Sequence, residues 1–313
     1  MPIPLVVWGV AGLLAATGVV KGVGAMSDFD EAKDIGNRAG ERYKKAEEKL
    51  KRDRAQTNKA FEKLGALKVA IFNDQIQYLV EVIKRTKSAR SILRGFNVKI
   101  SIEELKEMER LVLKSLEIER GLAAGAATGV LAAMGAYGSV GYLATASTGA
   151  LISGLSGAAA TNATLAWLGG GAIASGGTLS FGMAGGAVAL GGIVLGPALA
   201  VGGFMLASKA EEALTQARAH EAKVDIAIAE MDKITIALSA LRTNAKELGA
   251  TLTAIAERFD AVKVDDDSDE EAFATMVVIG MGLKNLLDIA IMGEDGAAVP
   301  NLKALISGSI ELN

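Results

Sequence analysis

The chain has 313 residues, of which half are hydrophobic, only 4% are aromatic and four are proline. This composition favours long helices over a sandwich or barrel of short strands, so we expect an all-α fold. The absence of cysteine excludes disulfides and thiolate metal sites, and the single histidine, His220, would leave a zinc or iron centre with carboxylates alone. The chain also lacks the common nucleotide-binding, hydrolase and metalloprotease motifs. We therefore expect no enzyme, no catalytic residues, no metal and no cofactor.

Charge is distributed unevenly along the chain. Residues 121–208 contain no Asp, Glu, Lys, Arg or His, and a quarter of them are glycine. Residues 21–120 carry 23 Lys and Arg against 17 Asp and Glu, a net charge of +6, whereas residues 209–313 carry 10 against 19, a net charge of −9. Opposite charge favours two helical arms that pack against each other or against a neighbouring subunit. The alternative is that the charged faces of both arms are solvated and that the arms have no preference for each other.

These patterns divide the chain into five predicted segments. They are an apolar N-terminal helix (1–26), a charged helical arm (27–120), a Gly/Ala-rich apolar hairpin (121–208), a second helical arm (209–264), and an acidic linker with a C-terminal helix (265–313). The expected fold is thus a set of long, coiled-coil-like amphipathic helices that flank an apolar helical hairpin.

Residues 1–20 form a separate uncharged run, about as long as the ~20 residues that span a bilayer core. No basic residue precedes this run, so it lacks the n-region of a secretory signal peptide, and we expect no cleavage. Gly18 and Gly22 are four residues apart, a spacing that lets two helix backbones approach closely.

The first arm has a helix-start pattern at Ser27 to Asp30, followed by apolar residues at three- and four-residue steps. This stripe predicts a helix from Asp28 to about Val82, too long to be stable without a partner helix along its length.

Between Glu81 and Glu103 the chain has no acidic residue and six basic residues. This basic elbow consists of Lys84, Arg85, Lys87, Arg90, Arg94 and Lys99. We expect it to bind anionic lipid headgroups. Nucleic acid is not the expected partner, because no binding motif accompanies the cluster and the protein is acidic as a whole. An ordinary solvated elbow between two helices is the alternative. Ser101 to Glu104 then has the capping-box pattern of a further helix start.

The apolar stretch begins with a predicted ridge of glycines at four-residue intervals and ends with two further glycine pairs of the same spacing. The glycines expected to pack helices together are Gly18, Gly22, Gly121, Gly125, Gly129, Gly182, Gly186, Gly192 and Gly196. The more polar residues from Thr145 to Ser180 are predicted to form the tip of the hairpin. Leu122 to Leu143 is a marginal membrane span, whereas Met183 to Ala207 is a better one.

A second apolar stripe predicts a helix from Ala210 to Val262, matching the first arm in length and period, and antiparallel pairing of the two arms is the expected arrangement. His220 lies within this helix and is expected to be exposed or packed. The acidic run Asp265 to Glu271 lacks the glycine and glutamate of a calcium loop and is predicted to be a solvated linker. Phe273 to Met292 is predicted to be a last apolar helix.

The residues from Thr145 through Leu206, with Gly-Ala-Ala-Ala-Thr-Asn-Ala-Thr-Leu-Ala-Trp-Leu-Gly-Gly-Gly in the middle, resemble a group of bacterial glycine-zipper helical proteins, some of which are labelled chemotaxis proteins. The resemblance covers most of the chain, and the group has no defined catalytic residues to carry over. Long amphipathic helices around an apolar hairpin are also similar, in architecture alone, to α-helical pore-forming proteins such as colicin pore domains, the haemolysin E type and apolipoprotein L.

Two functions therefore remain open. The first is a membrane-associated protein that inserts its apolar hairpin into a bilayer, as a homo-oligomeric pore or a membrane-remodelling assembly. The second is a soluble or peripheral coiled-coil scaffold in which the Gly/Ala-rich region is a packed helical core. The expected location is the membrane, or the cytoplasm with membrane association, and the expected partners are lipid and further copies of the chain, without nucleic acid.

Overall fold

A computed structural model describes residues 22–123, 128–143, 210–293 and 297–311. This part of the chain is mostly helical and contains no strand, so the all-α expectation is confirmed for it. The α-helices are α1 (Gly22–Ile71), α2 (Gln77–Arg85), α3 (Ala89–Gly95), α4 (Ile102–Ala123), α5 (Thr128–Leu143), α6 (Ala210–Ala261), α7 (Glu270–Leu287) and α8 (Leu302–Glu311). A π-helical turn, Phe72–Ile76, joins α1 to α2.

The chain divides into two compact units, and α1 and α6 contribute residues to both of them. Among the described residues, the first unit comprises 22–45 and 210–228. The second unit comprises 46–123, 128–143, 229–293 and 297–311. Most of the predicted apolar hairpin, including its tip and second leg, lies outside the described residues.

In the first unit, α1 and α6 pack in parallel. Small apolar residues make the contact, with Ala32 and Ile35 of α1 in one buried cluster with Ala213 and Ala217 of α6. Ion pairs flank this cluster. They join Glu31 to Arg218, and Arg42 to Glu221 and Asp225. Residue numbers rise together on the two helices, which is the signature of parallel helices.

The second unit repeats this direction along the remainder of α1 and α6. Lys49 pairs with Asp232 at 3.1 Å, and Thr57 Oγ1 donates to the carbonyl oxygen of Leu238 at 3.4 Å. Further along, Gln75 Nε2 donates to Asp260 Oδ2 at 2.8 Å. The predicted pairing of the oppositely charged arms is confirmed, but the predicted antiparallel direction is wrong.

The chain direction has a clear cause in the second unit, because α4 and α5 return along α1 before α6 begins. Lys84 pairs with Glu109 of α4, and Asn73 donates to Glu119 of α4, so α4 is antiparallel to this end of the first arm. The antiparallel course continues in α5, where Gly65 of α1 contacts Leu131 of α5. The two arms are therefore not the legs of a simple hairpin.

The long stripes become the core of the helix pair. The largest fully buried apolar side chains are Phe61, Phe72, Ile76, Leu79, Met108, Leu238, Leu241, Leu248, Leu252, Phe259 and Phe273. The first arm is already helical at Gly22, before the predicted start at Ser27, and stays helical to Arg85 through the π-helical turn. A capping signal shows where a helix can begin, and an upstream sequence of small residues can extend it.

Further along the chain, α7 begins at Glu270, within the acidic run, and not at Phe273 as predicted. The Asp269 side chain accepts a hydrogen bond from the Ala272 backbone N–H at 3.0 Å, and Glu270 and Glu271 lie in the first turn, where the helix dipole favours negative charge. The helix ends at Leu287, so the predicted helix to Met292 is too long.

Candidate functional site

The two uncharged runs join the described chain at one end of a helix pair. In the first unit α1 and α6 begin side by side, and their parallel packing sets Glu31 against Arg218 at 3.3 Å. In the sequence, residues 1–20 precede Lys21 and α1, and the uncharged stretch that ends at Ser208 precedes Lys209 and α6. Each run is thus followed by a lysine and then by a helix of the same pair.

A second notable feature is the close crossing of α5 over α1 within the second unit. A Cβ added to Gly65 would lie 2.7 Å from the carbonyl carbon of Leu131, and a Cβ added to Gly135 would lie 2.9 Å from the carbonyl carbon of Phe61. Gly65 therefore faces the backbone of α5, and Gly135 faces the backbone of α1. Phe61, which Gly135 meets, lies four residues before Gly65, and Leu131, which Gly65 meets, lies four residues before Gly135. Only glycine permits this backbone separation at both positions.

The middle of α5 is buried, although Tyr137 is partly exposed. Val130, Leu131, Ala132, Ala133, Met134 and Ala136 are each at most 8% exposed. These residues of the uncharged stretch therefore lie in the interior of the second unit.

The segment 288–292, here called the clamp segment, holds the far end of α5. Gly138 has a φ of 77° and interrupts the helix. The Ala136 carbonyl, two residues before it, accepts from the backbone N–H groups of Ile291 and Met292 at 2.9 and 3.2 Å. A Cβ at Gly138 would also lie 2.8 Å from the carbonyl carbon of Asp288, so glycine is required there for two reasons.

Lys68 of α1 is fully buried beside the clamp segment. Its Nζ donates to the Ile289 carbonyl oxygen at 3.0 Å. Burial lowers the pKa of Lys68 to about 7, and the negative charge of Asp288 opposes this shift. Burial also raises the pKa of Asp288, although Lys284 pairs with it at 2.8 Å. Both shifts favour the neutral forms, as expected where charge is desolvated.

Two of the six basic residues of the elbow pair with acidic residues. Lys84 pairs with Glu109 at 2.7 Å, and Arg85 Nη2 donates to the Asp265 carbonyl oxygen and lies 3.4 Å from its carboxylate. Ser88 also bonds to Asp267. The acidic run is largely exposed, as predicted. It is not only a solvated linker, however, because Asp265 and Asp267 bond to residues of the elbow.

The other four basic residues of the elbow are exposed. They are Lys87, Arg90, Arg94 and Lys99. Within the described ranges no carboxylate lies at ion-pairing distance from any of them. Beside them, Phe96 and Ile102 are 45% and 46% exposed. The elbow thus offers four unpaired cations and two large apolar side chains.

The predicted glycine contacts have a mixed outcome. Of the nine predicted packing glycines, Gly18, Gly125, Gly182, Gly186, Gly192 and Gly196 lie outside the described residues. Gly22, Gly121 and Gly129 lie in helices, and their role in helix contacts stays a prediction. Among the described residues, the glycines that meet another helix closely are Gly65, Gly135 and Gly280, and none of them was predicted. The pairing of Gly65 with Gly135 has no local signal, because the two lie in separate helices.

The described residues contain no group of His, Asp or Glu that could hold a metal ion. Within the same ranges, no helix combines the length and the apolar character that crossing a membrane requires. His220 is partly buried, and burial together with the charge of Lys223 lowers its pKa.

Comparison of the whole chain with known proteins finds no matching family model, no similar curated protein and no similar solved structure. The likeness to glycine-zipper and pore-forming proteins therefore stays a prediction.

Proposed function

We propose that this protein is a membrane-associated helical protein that inserts apolar segments of its chain into a bilayer and assembles there as a homo-oligomeric pore or membrane-remodelling complex. The observation that carries the proposal is the parallel packing of α1 and α6 in the first unit, with Ala32 and Ile35 against Ala213 and Ala217. This packing brings the attachment points of both uncharged runs to one end of the pair.

A bilayer accounts for this arrangement. Residues 1–20 match the length of a membrane span, and Met183 to Ala207 is the better span of the central stretch. Lys21 and Lys209 follow the two runs directly, and a lysine at the end of an apolar segment can extend its ammonium group to the headgroups. A charged helix pair outside the membrane would then connect two apolar segments inside it.

The inserted part does not need to include the whole uncharged stretch. Since α5 is packed between α1 and the clamp segment, we place the inserted part of the central stretch after Leu143 in this conformation. Gly138 and Ala136 mark the point where protein contacts hold the chain.

The second candidate function is a soluble or peripheral scaffold with a packed Gly/Ala-rich core. The burial of α5 favours it, because Val130 to Ala136 of the uncharged stretch are buried within the protein. If the rest of the stretch packs in the same way, no lipid is required.

The two tryptophans permit a direct test, because Trp8 lies in the first uncharged run and Trp167 in the second. Trp8→Phe and Trp167→Phe each leave a single reporter. With vesicles of brominated phospholipid, the membrane function predicts quenching of at least one reporter, with the protein resisting a carbonate wash. Both reporters unquenched at saturating lipid, with the protein released by carbonate, would favour the scaffold.

A further inference from the structure

The connection between α3 and α4 forms a hydrogen-bonded turn with an exposed apolar tip. At the end of α3 the Val98 N–H donates to the Leu93 carbonyl at 2.8 Å, and the Asn97 N–H donates to the Arg94 carbonyl at 3.2 Å. Asn97 has a φ of 60°, so the turn has the hydrogen bonds and the left-handed residue of a Schellman motif. The backbone is thereby fixed on either side of Phe96, whose side chain is nevertheless 45% exposed.

The exposed face of α3 adds positive charge to this tip. Arg90 and Arg94 are four residues apart and therefore lie on one face of the helix, while Ala89, Ile92 and Leu93 hold the opposite face in the core. Lys87 and Lys99 extend the cationic surface before and after the helix. Two acidic residues near the elbow are engaged with other elbow residues, Glu109 with Lys84 and Asp265 with Arg85.

We propose that this elbow tip is a second, peripheral membrane contact, which docks on the surface of a bilayer that contains anionic phospholipid. The tip consists of Phe96 and Ile102 with Lys87, Arg90, Arg94 and Lys99. The inference rests on the proposed membrane association and adds a contact separate from the apolar runs.

The combination of side chains selects this partner. A bilayer surface offers negative phosphate groups directly above an apolar layer, so cations and apolar side chains are satisfied together. Membrane segments that lie in the interface bury Phe and other apolar side chains at the boundary between headgroups and acyl chains, beside Lys and Arg. A nucleic acid would satisfy the four cations, but it has no apolar layer for Ile102, which is 46% exposed.

The test measures binding of the full chain to vesicles of phosphatidylcholine with or without phosphatidylserine. Arg90→Gln/Arg94→Gln is expected to weaken binding to anionic vesicles about 30-fold at low salt, since each basic residue near the surface contributes about fivefold, and much less at high salt. Phe96→Ala is expected to weaken binding about fivefold to tenfold at either salt concentration, because its contribution is apolar.

Matched controls come from the same unit. Lys246→Gln/Arg258→Gln removes two exposed cations of α6, and Leu305→Ala removes a side chain that is 46% exposed on α8, as exposed as Phe96. Neither control should change binding by more than about twofold, the change expected from the loss of one or two distant surface charges. Equal losses of vesicle binding in the controls and in the tip variants would overturn the proposal. Vesicle binding that is unchanged by Phe96→Ala and by Arg90→Gln/Arg94→Gln would also overturn it.

Two further readouts separate this inference from its rivals. A tryptophan introduced by Phe96→Trp into the Trp8→Phe/Trp167→Phe background should be quenched by brominated lipid. No quenching would show that the tip does not enter the boundary. Binding of labelled RNA or DNA that depends on Arg90 and Arg94, without vesicle binding, would assign the surface to nucleic acid instead. If Trp8 and Trp167 stay unquenched while the tip variants still weaken vesicle binding, the insertion of the apolar runs fails and the peripheral contact stands.

Discussion

The crossing of α5 over α1 can be tested by adding a single methyl group. In Gly135→Ala the new Cβ would lie 2.9 Å from the Phe61 carbonyl carbon, whereas ordinary van der Waals contact is 3.4–4 Å. Because the obstacle is backbone, no side-chain rotation relieves it, and α5 must move away from α1 by about 1 Å. A gap of that size forfeits a quarter to a half of the dispersion energy of the contacts that it opens.

The expected magnitude follows from the side chains that α5 buries. Val130, Leu131 and Met134 are each worth about 2 kcal/mol of burial, so a loss of a quarter to a half amounts to about 1.5–3 kcal/mol. Alanine returns up to about 1 kcal/mol through its helix propensity. The net loss of unfolding free energy should be about 0.5–2 kcal/mol, which lowers Tm by roughly 1–8 °C.

The assay is thermal and urea unfolding of the full chain, followed by circular dichroism. Gly282→Ala is the matched control, because a Cβ at this glycine of α7 meets nothing within 4 Å. It should stabilise the protein by about 0.5–1 kcal/mol through helix propensity alone. Gly65→Ala should behave like Gly135→Ala, and the double variant should cost less than the sum, because one displacement of α5 relieves both contacts. If Gly135→Ala were as stabilising as Gly282→Ala, the close crossing would be refuted.

Three further predictions concern the helix pair and the buried charges. Arg242→Ala should lower the unfolding free energy by about 2–3 kcal/mol, because Arg242 bonds to the Asp53 carboxylate, the Asp53 carbonyl and Thr57, each at 3.0 Å, in a half-buried site. Lys49→Ala breaks an exposed ion pair and should cost under about 1 kcal/mol in the same unfolding assay. Ala32→Cys/Ala213→Cys should form a disulfide under mild oxidation and Ala32→Cys/Ala227→Cys should not, as judged by mobility on a denaturing gel; the reverse result would contradict the parallel packing. Wild-type stability should rise with pH from about 7 towards 10, since the unfolded chain there retains the Lys68 proton that the folded chain has lost, and urea unfolding of Lys68→Met across this range should show the rise removed.

Much of the helical architecture could be predicted from the sequence. The three- and four-residue stripe placed Leu50 and Leu64 on the buried face of α1, and Leu241 and Leu248 on that of α6. Such periodicity is local, and burial of the apolar face is the physical event that it encodes. The capping box at Ser101 is equally local and is confirmed, since Glu104 N–H donates to Ser101 Oγ at 3.1 Å and Ser101 N–H donates to Glu104 at 2.8 Å. Hydrogen bonds from the backbone N–H and from the side chain of Ser101 to the Glu104 carboxylate lower the pKa of Glu104.

The direction of the helix pair could not be predicted in the same way. A heptad stripe fits a parallel and an antiparallel partner equally well, because both directions bury the same face. What decides between them is the path of the intervening chain, in particular the return of α4 and α5 along the first arm. That path depends on contacts between distant residues, such as Gly65 with Leu131, which leave no period in either segment.

The candidate site could also be predicted only in part. Its basic residues lie close together in the sequence and were found from composition, but which of them pair with an acidic residue depends on where Asp265 and Glu109 lie in space. Lys68 is the clearest case. It is fully buried and donates to the Ile289 carbonyl of the clamp segment, a partner 221 residues away that no local sequence pattern indicates.

The parallel pairing also constrains how the apolar runs could act together. If α1 and α6 had been antiparallel, residues 1–20 and the stretch ending at Ser208 would join the pair at opposite ends, and a single bilayer could receive only one of them next to the pair. With parallel packing both attachment points lie at the same end of the pair. The contact at that end is the cluster of Ala32, Ile35, Ala213 and Ala217. Alanine contacts contribute little burial energy, so this end of the pair is held weakly by its core and depends on the flanking ion pairs of Arg42 and Arg218. A weakly held end beside two apolar runs is the part of the pair that can separate at low cost, and salt, which screens exposed ion pairs, should promote that separation.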